Sequence, residues 1–497
     1  MVNRNLKKVT QQVRCMHFDS HHVTISDWCG VILDRDRGTI NTLSDDELLC
    51  IFDCYVTEAP QLEAWHTLVH VCQRWRHIVF GSPRGLNLRI ACKNNMPVRN
   101  KLDVWPALPI AIFADFYWGT CGLNNIKAAF EFNERVSQID LVILRHSLDD
   151  FDVFAALEKP FPALTDLKLQ LRGSPDPIFP DLVKFLDGST RLRSLSLTFV
   201  PMPGLPKLLL SSTGLINLHL DNIPVTGFLS PEAIITGLAA LTRLKVLHLN
   251  FKFDPSHPDW ENRRLPLPTR TVLPSLTVLK FKGVNEYLED FMARIDAPLL
   301  DHLTMTFDCP DFDLASILLN AQHLSQFISR TPKLQAPVKA HIGMDTYTKI
   351  SIKFSGPTQI SSVVRLRIHC IAPEWRFPCL GQFCRSPFFP LATLEELYFS
   401  QGFFPQRDDR NTRCLELFRP FTSVKNLYIS EEYTPVVRKL IGEGAAGVLP
   451  TLENVFLESF QPFGPVPEAI EQLIAARQLS GRPIVVSRWD RTRRDEI

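Results

Sequence analysis

The sequence lacks any apolar run of the roughly 18 residues that a membrane helix requires, and its opening, MVNRNLKKVTQQVRC, holds no apolar segment of secretory type. An intracellular protein, cytoplasmic or nuclear, with no membrane partner is therefore expected. Net charge is almost absent: 54 basic and 53 acidic residues leave +1. No global field draws nucleic acid or an anionic surface, so nucleic acid is not an expected partner. The 12 cysteines show no paired spacing. Cys50, Cys54 and Cys72 lie within or beside apolar helical faces and read as small buried hydrophobes of a reducing compartment. Without a companion His or Cys pair at finger spacing no metal is expected, and the loose trio His17, His21 and His22 lacks Cys or carboxylate support.

Catalytic signatures are missing too: H-E-x-x-H, P-loop, G-x-S-x-G and kinase strings do not occur. Gly442-Glu443-Gly444-Ala445-Ala446-Gly447 matches G-x-G-x-x-G by letter. It follows an expected helix, Pro435 to Ile441, and leads through Val448-Leu449-Pro450 into a strand. A dinucleotide site needs the opposite order, strand then helix, so the string reads as a loop. No cofactor and no enzymatic activity are expected, and an active site assembled from distant residues is kept only as a third reading.

What is present begins at Ile40 to Phe80. Ser44-Asp45-Asp46-Glu47 is a Ser-x-x-Glu capping box, with Leu43 and Leu48 placed as a hydrophobic staple. Leu48, Leu49, Ile51, Phe52 and Tyr55 form one apolar face, and Asp45 and Asp46 sit where the helix dipole favours them. A second apolar series, Trp65, Leu68, Val69, Cys72, Trp75 and Val79, steps by three and four.

This stretch resembles an F-box, the helical motif that docks onto a Skp-type adaptor in cullin-based ubiquitin ligases. The resemblance rests on Leu43, the Asp-Asp-Glu-Leu-Leu-x-Ile-Phe helix and the Leu-x-x-Val-Cys-x-x-Trp-Arg string. It implies that Leu43, Ser44, Leu48, Ile51, Leu68, Val71 and Trp75 supply the adaptor-facing or internal apolar surfaces. One departure is Ser44, where the family usually has proline, which removes any proline contact. Arg84 to Leu88 and Trp105 to Pro109 are also similar to segments that follow the F-box in large fungal F-box families.

From about residue 136 the chain repeats. An apolar-x-x-apolar-x-apolar unit starts at Val136, Leu164, Leu192, Leu215, Leu244, Leu276, Leu300, Val363, Leu394, Val424 and Leu452, at intervals of 28, 28, 23, 29, 32, 24, 63, 31, 30 and 28 residues. This is the core of a leucine-rich repeat, in which stacked units pool their leucines and align their strands in parallel. The interval of 63 residues is expected to hide a degenerate repeat around Leu324 to Leu334 and Ile350 to Phe354. Helices are expected at Asn124 to Glu134, Pro231 to Leu241, Leu314 to Ile328 and Pro465 to Gln478, strands at Leu86 to Ile90 and Ile110 to Phe113, and a proline-rich loop at Phe253 to Pro268.

The expected architecture is α/β: a poorly ordered leader over 1–38, a helical F-box over 39–82, an irregular leucine-rich-repeat solenoid with a curved parallel sheet over 83–487, and a charged tail over 488–497. Residues between the core leucines must face the open side of the sheet. They include His219, His248, Lys280, Lys282, Arg365, Arg367, His369, Tyr398, Tyr428 and Phe456, a row with a basic middle and an aromatic end. Lys280, Lys282, Arg365, Arg367, Tyr398 and Tyr428 are the candidate target-binding residues, and the cations among them favour an acidic or phosphorylated segment. Together these features imply a substrate adaptor joining a Skp-type adaptor, and through it a cullin scaffold, to a protein target. A repeat scaffold without ligase association is the alternative.

Overall fold

The computed structural model describes residues 40–58, 63–83, 86–93, 98–115, 120–144, 159–172, 191–201, 204–224, 229–252, 270–309, 321–335, 337–344, 349–357, 363–370, 376–385, 391–399, 417–430, 448–458 and 465–489. The leader, the proline-rich loop at 253–268, the glycine-rich string at 442–447 and residues 490–497 lie outside these. The described residues form 11 α-helices, a sheet of 16 mostly parallel strands and a second sheet of two strands. The chain divides into two compact units, Met1–Ala91 and Cys92–Ile497.

In the first unit, helix α1 (Asp45–Glu58) starts at the capping box, and both arms of the box are made. The Ser44 amide donates to Glu47 Oε2 at 2.8 Å, and the Glu47 amide donates to Ser44 Oγ at 3.3 Å. The second apolar series is not one helix but two, α2 (Trp65–Val69) and α3 (Gln73–Gly81). Cys72 breaks it with an extended backbone (φ −157°, ψ 171°) and caps α3 by accepting the Trp75 amide on Sγ at 3.5 Å. Cys50 and Cys72 are therefore exposed rather than buried, because one sits on the outer side of α1 and the other at a helix start. Residues 86–89 are not a strand: Asn87 adopts φ 47° in a turn, although Leu86 and Leu88 are buried as alternation requires. These residues close the first unit, since Trp65 Nε1 donates to Arg89 O at 3.0 Å and Glu63 accepts the Ala91 amide at 2.9 Å.

The strands are β1 (Ile90–Lys93), β2 (Ile110–Asp115), β3 (Val136–Leu144), β4 (Asp166–Arg172), β5 (Ser194–Thr198), β6 (Asn217–Ile223), β7 (Val246–Phe251), β8 (Thr271–Val272), β9 (Val278–Lys282), β10 (Ile295–Asp296), β11 (His302–Cys309), β12 (Lys339–Met344), β13 (Lys349–Ser355), β14 (Val363–Cys370), β15 (Glu396–Phe399), β16 (Asn426–Ile429), β17 (Asn454–Leu457) and β18 (Val485–Arg488). From β2 to β11 the second unit adds parallel strands in sequence order, with β8 and β10 set apart as the small sheet. One leucine per strand stands in register: Leu167, Leu195, Leu218, Leu247, Leu279 and Leu303, each at most 1% exposed.

Helices α4 (Val98–Val104), α5 (Thr120–Phe130), α6 (Leu205–Ser211), α7 (Pro231–Leu238), α8 (Asn285–Ala293), α9 (Gln322–Arg330), α10 (Arg376–Arg385) and α11 (Pro465–Leu479) fall in the returns between strands. Their ends shift from the expected ones. α7 stops three residues early, and α5 starts and ends early, with a 3-10 turn at Asn133–Arg135 beyond it. Close approach of α6 and α7 needs Gly237, where a Cβ would stand 3.0 Å from Leu209 Cβ.

The long interval does not hold a degenerate repeat. After β11 the chain skips two places in the sheet to reach β12, which pairs in parallel with β15. It then turns back through antiparallel β13 and refills the gap with β14 beside β11. The letters Val363-Leu366-Ile368 are consequently two residues out of step: Leu303 lies beside Val364, and Met305 beside Leu366. A strand delivered by a hairpin takes its register from that hairpin, not from a repeat period.

Some of the stability of the second unit comes from buried polar caps. Glu289 on α8 is 6% exposed and accepts the first amides of α9, from His323 at 2.8 Å and Leu324 at 3.0 Å. Burial raises its pKa above the ordinary 4.5, a shift that those two amides oppose. Glu289→Ala leaves both amides without that acceptor and is expected to cost about 2 kcal/mol, read from urea midpoints. The folded state holds the Glu289 proton more tightly than the unfolded chain does. The wild-type advantage is therefore greatest below pH 4.5 and narrows as pH rises through the raised value.

Candidate functional site

In the first unit, Leu48, Leu68 and Trp75 are 0%, 2% and 5% exposed. They build the interior with Phe52 and Trp65, and the rings of Phe52 and Trp75 are 4.7 Å apart. Of the seven residues expected to supply the adaptor-facing or internal apolar surfaces, these three therefore lie on the internal side. Leu43 and Ile51 are half-buried, Ser44 is exposed, and Val71 is 50% exposed at the break between α2 and α3. Arg74 ties this break to the helix start, donating to Asp45 Oδ1 at 2.7 Å and Leu43 O at 2.6 Å. The Glu47 carboxylate is held below its usual pKa by the Ser44 amide first and the Ser44 hydroxyl second.

In the second unit, register places the candidate cations in two rows on the open face of the sheet. One row runs Lys168, Ser196, His219, His248, Lys280, Thr304, Arg365, Lys353 and His341, then Tyr398, Tyr428 and Phe456. The next contains Asn250, Lys282, Thr306, Arg367 and Ser351. Strands lie ~4.8 Å apart, so Lys280 and Arg365 flank Thr304 while Lys282 and Arg367 flank Thr306.

Electrostatics mark this as a cationic field. Arg365 is pushed below the usual arginine pKa by burial and then by the Arg367 charge. His219 and His248 meet edge to face at 5.8 Å, and both are lowered, first by burial, with Lys280 adding to the shift and Asp221 opposing it. Further along the row toward β3 the field is neutralised, since Lys168 pairs with Asp140 at 3.0 Å.

Lys353 and His341 also belong to this surface, although the sequence predicts only a strand over 350–354 and places neither residue on the face. The alternation around Lys353 is visible in the sequence, but its neighbours depend on the direction of β13. In the other direction, Tyr398 and Tyr428 are 5% and 6% exposed and do not present an open binding surface. Trp489 covers them, with ring centroids 6.0 Å from Tyr398 and 5.6 Å from Tyr428. Residues 488 and 489 accordingly belong to the fold rather than to a frayed tail: Arg488 ends β18, and the Trp489 amide donates to Leu457 O at 2.7 Å.

Among the described residues no group of three or more His, Cys, Asp or Glu side chains is placed to hold a metal ion, and no helix is long and apolar enough to cross a membrane. No protein-family model matches the chain, and no curated protein is significantly similar to it.

Lys280→Glu combined with Arg367→Glu is expected to weaken binding of a poly-glutamate peptide by about tenfold or more in low salt, with a smaller effect in high salt. Fluorescence anisotropy measures this, and equal affinity for wild type and variant would remove the cationic field from consideration.

Proposed function

We propose that the chain is the substrate-recognition subunit of a Skp–cullin–F-box ubiquitin ligase. In this reading the helical unit docks a Skp-type adaptor, and the repeat-bearing unit binds a protein target on its cation-lined sheet face. The observation that carries it is the organisation of the helical unit. Leu48, Phe52, Trp65, Leu68 and Trp75 close a core of their own, while Val71 and the capped start of α1 stay on the surface. A partner-docking module requires that combination.

Ser44 replaces the usual proline without loss of the helix start, because its hydroxyl and amide both take part in the capping box. An irregular leucine-rich-repeat solenoid is the finer description of the second unit, supported by the in-register leucines from Leu167 to Leu303. The protein itself breaks no bond in this reading; it holds a target near a conjugating enzyme recruited by the cullin scaffold and contributes proximity.

Co-purification with a Skp-type adaptor tests the reading. Wild type is captured, and Val71→Asp reduces capture about tenfold or more by placing a charge in a desolvated contact, while its melting temperature stays unchanged. Leu48→Asp is a poor control, since it unfolds the unit. Failure of wild type to bind any Skp-type adaptor removes the ligase reading and leaves the repeat scaffold.

A further inference from the structure

The aromatic end of the register row has properties that the adaptor reading does not use. His341, Tyr398, Tyr428 and Phe456 stand side by side on β12, β15, β16 and β17. Their rings stack nearly parallel, with centroids 4.1, 4.1 and 4.5 Å apart and interplanar angles of 9°, 6° and 9°. The four rings form a continuous ribbon, on which the Tyr398 hydroxyl donates to Glu396 Oε2 at 2.6 Å. Trp489 lies across that ribbon at 64° to Tyr398 and 69° to Tyr428, an edge-to-face arrangement.

The covering residue is poorly suited to permanence. Among the described residues its buried indole Nε1 has no hydrogen-bond acceptor, a state that costs free energy for as long as the ring stays in place. It follows β18, the last strand in the sheet order, which among the described residues pairs only with β17 and leaves Val485 61% exposed. Phe456 is only half-buried beneath this cover. The ribbon also continues directly into cations, since His341 neighbours Lys353 and Lys353 neighbours Arg365.

We propose that Tyr398, Tyr428 and Phe456 form a slot for an aromatic side chain of the target polypeptide, and that Trp489 is its built-in competitor. The matching segment carries an indole or phenyl ring beside carboxylates, the ring displacing Trp489 while the carboxylates meet Lys353 and Arg365. Displacement returns the indole N–H to water, which offsets part of the loss of its packing. The slot rests on the reading of this face as the target side but not on adaptor docking.

Two labelled peptides test it against the full chain: Glu-Asp-Trp-Glu-Asp and the same peptide with alanine for tryptophan. Trp489→Ala is expected to bind the tryptophan peptide about tenfold more tightly than wild type. Adding Tyr428→Ala abolishes that gain, and the alanine peptide binds all three proteins alike. Equal affinity of wild type and a folded Trp489→Ala for the tryptophan peptide overturns the proposal. If circular dichroism shows that Trp489→Ala does not fold, hydrogen exchange on wild type decides: amides of 485–489 should exchange faster than those of 454–457, and equal or slower exchange overturns it. Capture of a Skp-type adaptor is scored separately, and its failure sinks the ligase reading without touching the slot. Unchanged binding of both peptides to Lys280→Glu/Arg367→Glu removes the cationic face while leaving the slot.

Discussion

One buried leucine per strand, repeated at the same height from Leu167 through Leu303, is the constraint on which the second unit depends. Each such side chain contributes roughly 2 kcal/mol by leaving water, and none can do so without its neighbours in the stack. Because side chains alternate across a strand, burying leucines on one side forces the intervening residues onto the other. The positions of Lys280, Thr304 and Arg365 in one line are therefore a consequence of hydrophobic packing behind them. Their chemistry is free to vary as long as the leucines stay.

The interruption at β12 to β14 shows how far that constraint reaches. A hairpin inserted into a parallel array still buries Ile350, Ile352 and Phe354, so the core is continuous across it. Its polar side adds Lys353 and His341 between the cations of β14 and the tyrosines of β15 and β16. The insertion therefore bridges the basic and aromatic parts of the face with one further lysine and a histidine.

The helical unit follows the same logic at smaller scale. Its capping box fixes where α1 begins, and Cys72 fixes where α3 begins. The break between α2 and α3 turns Val71 outward, whereas an uninterrupted helix would have continued the apolar stripe past it. Leu48 and Trp75 then serve as interior packing, and the surface left to a partner is smaller than the apolar pattern implies.

Features set by near neighbours in the chain were legible from sequence alone. The capping box, the extents of α7 and α11 to within a few residues, and the strands from Val136 to Met305 all follow from side-chain periodicity and local hydrogen bonding. Long-range pairing was not legible in the same way. Nothing in the string Val363-Leu366-Ile368 reveals that its strand arrives by a hairpin and sits two residues out of step, because periodicity is blind to strand direction and order. Likewise Tyr398 and Tyr428 read as surface residues until Trp489, some 60 to 90 residues later in the chain, folds across them. The amino-acid pattern determined which residues are core and which are face. Only tertiary structure decided which face residues are neighbours and which of them stay in contact with water.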